Sequence, residues 1–178
     1  MLEPAPISAI DPHTARGTLV ELHEPASGDA GSVTLSFPNL QYRTHLVLVG
    51  GAEHLRGRVG KRVEGRVRGS ARRVDVVPGG GRFVDPVWGR PRRVQGRVVS
   101  IDAGSNSITV HAGLPIELKL TDARQRAAEF AEGDLVSCDV LRGATFEPSA
   151  GERGGAGARA GGEAAGGEGP VGEAGDGR

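Results

Sequence analysis

Cysteine is almost missing from this chain: Cys138 stands alone among 178 residues. A single thiol excludes a disulfide-stapled scaffold and any all-Cys metal site. Aromatic side chains are scarce, with one Trp, one Tyr and four Phe, so a core has to be built from branched aliphatics. Long apolar runs are lacking as well. The longest aliphatic stretch is Leu46-Val47-Leu48-Val49, far below the roughly 20 residues that cross a bilayer. Met1-Leu2-Glu3-Pro4-Ala5-Pro6 has neither the basic nor the apolar region of a secretory signal. The expectation is a cytoplasmic protein with no membrane segment.

Net charge is absent too, with 22 basic and 22 acidic residues. That balance hides an asymmetry. Residues 56–97 hold 13 Lys/Arg against 3 Asp/Glu, whereas 1–55 and 98–150 together hold 6 against 14. The C-terminal 28 residues, 151–178, contain 12 Gly and 6 Ala. Such a segment cannot bury enough apolar surface to offset its ordering entropy, so 149–178 is read as a disordered tail. Residues 1–15, with Pro4, Pro6 and Pro12, form an irregular arm.

Between these ends, apolar residues recur with period two, the pattern of half-buried strands. Leu114, Ile116, Leu118 and Leu120 alternate with Pro115, Glu117, Lys119 and Thr121. Val33, Leu35 and Phe37 alternate with serine and threonine, as do Ile108 and Val110. Stretches 94–101 and 135–141 are richer in β-branched residues and read as more deeply buried strands. One segment has helical spacing: Ala123, Ala127, Phe130 and Ala131 share a face behind a cap at Asp122, with Gln125 at the capping-box position. The first half echoes the second. Arg16–Leu22 parallels Gln95–Ile101, and Ser32-Val33-Thr34-Leu35 parallels Ser107-Ile108-Thr109-Val110. An internal duplication is the economical reading.

The order strand, strand, strand, helix, strand over 94–141 resembles the OB-fold, a five-stranded Greek-key barrel. The expected fold is therefore mainly β: two small OB-like barrels packed together, with one short helix in the second. The division is an arm at 1–15, a first lobe at 16–80, a basic connector at 81–93, a second lobe at 94–148 and the tail.

Catalytic constellations are missing. The five histidines, His13, His23, His45, His54 and His111, show no metal-ligand spacing and no cysteine partner. Neither a phosphate-cradling loop nor a nucleophile elbow occurs. Cys138 has no cationic neighbour in sequence and reads as structural. No enzyme, metal or cofactor is expected.

The basic segment carries the functional reading. Arg62, Arg66 and Arg68 fall on one strand face opposite Val63 and Val67, and Arg73 follows on the next strand. The connector adds Arg82, Phe83, Trp88, Arg90, Arg92 and Arg93. Arginines pair with phosphates through two parallel hydrogen bonds, and Trp and Phe stack on bases. These ten residues are the expected surface for single-stranded nucleic acid or another polyanion, a use the OB resemblance also implies. Two readings stand beside it. The arginines can be neutralised within the fold, since the flanks are acidic, and the chain can be an adaptor that binds a protein partner or a second copy of itself.

Overall fold

The computed structural model describes residues 11–27, 29–38 and 41–149. Most of the N-terminal arm, and the tail apart from Ser149, lie outside the described residues. In chain order the elements are β1 (Ala15–His23), β2 (Ser32–Phe37), β3 (Tyr42–Leu48), a single turn α1 (Ala52–Leu55), β4 (Arg62–Val76), β5 (Phe83–Asp85), β6 (Trp88–Gly89), β7 (Arg93–Asp102), β8 (Ser107–His111), β9 (Pro115–Leu120), a 3-10 turn (Ala127–Glu129), β10 (Leu135–Val140) and β11 (Thr145–Pro148). The chain is mainly β, on closed small-barrel pairing, as its period-two pattern predicts.

The pairings run round two closed circuits that share β4. One is β1-β2-β3-β11-β4 and back to β1; the other is β4-β10-β7-β8-β9 and back to β4. Both follow one scheme. Three consecutive strands form an antiparallel meander, β1-β2-β3 or β7-β8-β9. The third strand of each meander then pairs in parallel, β3 with β11 and β9 with β4. The closing strand is antiparallel to the first: Arg62–Gly65 of β4 against β1, and β10 against β7. The parallel strand of each circuit therefore comes from the other half of the chain. The distal part of β4, from Arg68 on, completes the second circuit. β11, the last strand, completes the first. Closure in this manner leaves few free edges.

The core is one continuous cluster. Leu19, Leu35, Leu55, Val67 and Phe146 fill the first circuit, and Val74, Val94, Val98, Val110, Leu118 and Val136 fill the second. The alternation read from sequence places Ile116, Leu118 and Leu120 of β9 inside.

The short helix expected over 123–132 is shorter still, a single 3-10 turn. Gln125, placed by sequence in a capping box, performs a different task. The Val74 N–H donates to Gln125 Oε1 at 2.8 Å, and Gln125 Nε2 donates to the Val74 carbonyl at 2.6 Å. β9 leaves β4 after Ala71, and the Gln125 side chain takes over the backbone groups it exposes, which would otherwise lack partners. In place of a helix the segment makes a turn closed by Gln125 N–H to the Asp122 carbonyl, then an extended Arg126 that leads into the 3-10 turn. Ala127 and Phe130 still turn inward.

Cys138 lies buried in β10. Burial, with Asp139 adding repulsion, pushes its thiol pKa up to about 12, so hardly any thiolate exists at neutral pH. The folded protein is expected to leave a disulfide-exchange reagent unreacted and the denatured protein to consume one equivalent, read by absorbance. Prompt reaction in native buffer would place this strand at a breathing surface.

Candidate functional site

Register builds a row of side chains that no single segment contains. Thr18 of β1 stands opposite Arg62 of β4 on one side and Ser36 of β2 on the other. Ser36 stands opposite Arg43 of β3, and Arg43 opposite Trp88 of β6. Their strand neighbours, Val63, Gly17, Leu35 and Thr44, are buried, so these five residues share the opposite face, on which Ser36 alone is buried as well. At about 4.8 Å per strand, the row Arg62–Thr18–Ser36–Arg43–Trp88 spans about 19 Å.

At one end Trp88 is 64% exposed. The Arg43 guanidinium carbon sits 4.6 Å from its centroid, a cation–π geometry that holds both side chains in place. β6 is short, but its two residues pair in parallel with β3, and the Arg43 N–H donates to the Val87 carbonyl at 2.8 Å. In the middle, Ser36 is 2% exposed. Its Oγ and the Nε of Arg43 are both buried without a hydrogen-bond partner among the described residues. Orphaned polar groups of this kind are costly unless something fills them. At the other end Arg62 is exposed and takes part in no ion pair among the described residues.

A cleft of about 320 Å³ lies over the Arg62 end, lined by Arg16, Thr18, Ser36, Arg62, His111 and the turn between β8 and β9. Arg82 Nη1 lies 3.3 Å from His111 Nδ1. Burial first, and the Arg82 charge second, hold the His111 pKa below the ordinary histidine value, which leaves the ring neutral and accepting from Arg82. A second cleft, of about 350 Å³, is lined by Ser32, His45, Val47, Arg90, Pro91 and Arg142.

The ten residues singled out from sequence do not gather on one surface. Arg62 and Trp88 share the row, Arg90 lines the second cleft and Arg82 meets His111. Arg66 and Arg68 line a third, mixed-charge cleft with His13, Asp102 and Glu117. Arg68 is engaged internally, by Glu117 at 3.4 Å and by Glu147, and these carboxylates raise its pKa. Arg73 pairs with Asp75 at 2.8 Å. Arg93 stands in register between Asp85 and Asp139 and donates to Ser137 Oγ at 3.3 Å. Arg92 is exposed and Phe83 half-buried. Sequence reasoning missed Arg43, Ser36, His45 and Arg142. The signal for Arg43 and His45 was the alternation of β3 itself, where Thr44, Leu46 and Leu48 point inward.

No family model matches the chain, and neither does any curated protein. Among solved structures it is similar to the cytoplasmic molybdate-binding protein ModG, in a crystal form with molybdate bound. The identity is 22%, over 77% of this chain and 94% of that one, with a TM-score of 0.38. Among the described residues, no cluster of three His, Cys, Asp or Glu is placed to hold a metal ion, and no helix is long and apolar enough to cross a membrane.

Proposed function

We propose that this chain is a non-catalytic binding protein for single-stranded nucleic acid, held along the row from Arg62 to Trp88. The supporting observation is an exposed indole propped by Arg43 at one end of the row, with Arg62, exposed and in no ion pair among the described residues, at the other. A base stacks on the open face of Trp88. The phosphate next to it meets the Arg43 guanidinium, and a further phosphate meets Arg62. Stacking is indifferent to base identity and the row offers few groups for reading base edges, so little sequence preference is expected.

Fluorescence anisotropy with labelled single-stranded DNA and RNA tests this reading. Affinity should fall as salt rises, with a log–log slope of about −1.4, since each of the two contacted phosphates contributes about −0.7. Binding weaker than about 100 micromolar at low salt, or a complex indifferent to salt, would remove the reading. A stable homodimer by light scattering with Trp88 fluorescence shielded would instead favour the adaptor role, because Val87 and Trp88 form an exposed apolar pair.

A further inference from the structure

The second cleft differs from the row in how its charge is distributed. The row offers one guanidinium at a time, about 14 Å apart, which suits phosphodiesters of one negative charge each. The cleft gathers Arg90, Arg142 and His45 around a single cavity with no carboxylate in its lining. Arg90 and Arg142 take part in no ion pair among the described residues.

Its walls come from separate parts of the chain. Ser32, His45 and Val47 belong to β2 and β3, Arg90 and Pro91 to the connector after β6, and Leu141 to Ala144 to the link between β10 and β11. That link is fixed at both ends: the Leu141 N–H donates to the Ser70 carbonyl at 2.8 Å, and the Ala144 carbonyl accepts from Val47 N–H at 2.9 Å. The cavity is thus formed where the two circuits join, and its cationic groups are carried by anchored backbone. Its volume, about 350 Å³, exceeds what a lone phosphate fills and lies within the range of small-molecule sites. Arg90 is two residues from Trp88 and His45 two residues from Arg43, so the cleft lies beside that end of the row.

We propose that this cleft receives a phosphate monoester, and hence that the chain grips single strands by a phosphorylated end. A monoester carries close to two negative charges at neutral pH, which two arginines complement and which a diester does not supply. The inference rests on the strand-binding reading for its ligand but not for its chemistry, because a free nucleoside monophosphate presents the same group.

The test uses three otherwise identical oligonucleotides with an internal fluorophore: one with a 5′-phosphate, one with a 3′-phosphate and one with neither. One terminal phosphate is expected to tighten binding at least fivefold. Arg142→Gln should erase that difference, and Trp88→Ala should weaken every strand while preserving it. Equal affinity for all three strands overturns the inference and leaves the strand-binding reading standing. If no strand binds, that reading fails, and calorimetry with adenosine monophosphate and inorganic phosphate decides about the cleft. Saturable heat that disappears in Arg142→Gln keeps the monoester site as one for free phosphate esters, and no heat ends it.

Discussion

A chain ending at Gly143 will not fold, and neither half of the protein will fold alone. Each circuit takes its parallel strand from the other half, so residues 1–80 lack β11 and residues 81–178 lack the distal part of β4. The missing strand is no peripheral trim. Phe146 of β11 has 0% exposure and is the largest of the fully buried side chains. Its strand pairs with β3 and β4 at once. Circular dichroism should show each separate half without a cooperative melt, and mixing the halves should restore one.

Within the intact chain, Phe146→Ala is expected to cost about 3–5 kcal/mol, the usual range for emptying a phenylalanine site in a core. Urea unfolding should show this as a lower midpoint. Gly65→Ala acts on the same seam. A Cβ at Gly65 would run into the Glu147 carbonyl and the Phe146 ring, so β4 and β11 would have to part. That substitution should destabilise at least as much as a typical overpacking change, about 1–3 kcal/mol. A cooperative, native-like melt from residues 1–80 alone would show that the first circuit closes without β11.

The strands themselves were legible because burial on one face imposes period two on the sequence. Partnership was not. Arg62–Arg68 and Arg72–Val77 read as two strands, since the alternation lapses at Arg68-Gly69-Ser70. They are one strand, β4, and the lapse marks where it passes from one circuit to the other, half-buried on both faces. A Cβ at Gly69 would press on Val140 and Leu118, so this glycine allows a close crossing between the two stretches. The helix at 123–132 failed for a related reason. Alanines at helical spacing are also compatible with a tucked loop, and what decides between them is a side-chain bond from Gln125 to Val74, 51 positions away.

Density of charge pointed toward the middle of the chain, and it was only partly informative. Arg68 answers carboxylates of β9 and β11, Arg73 one on its own strand and Arg93 a hydroxyl of β10, and of these only Arg68 draws on the acidic flank. Trp88 and Arg62 do face outward. Arg43 was invisible to charge counting because it is the only Lys or Arg between Arg16 and Arg56; cross-strand register sets it under Trp88.

The row makes a prediction that separates stacking from charge. Trp88→Ala should weaken single-strand binding by about 5- to 150-fold, the equivalent of 1–3 kcal/mol for one stacked base, with the salt slope unchanged. Arg62→Gln should cost less affinity at high salt than at low salt, and lower the slope by about 0.7, the share of one phosphate contact. Arg43→Gln should do both, since it loses a phosphate partner and the prop beneath the indole. Because Trp88 is the sole tryptophan, its fluorescence reports the contact directly, and quenching on titration should track anisotropy. Neither Trp88 nor Arg62 belongs to the buried core, so urea midpoints near wild type are expected and a loss of binding reads as a loss of contact. If Trp88→Ala binds as the parent does, the strand does not lie along this row.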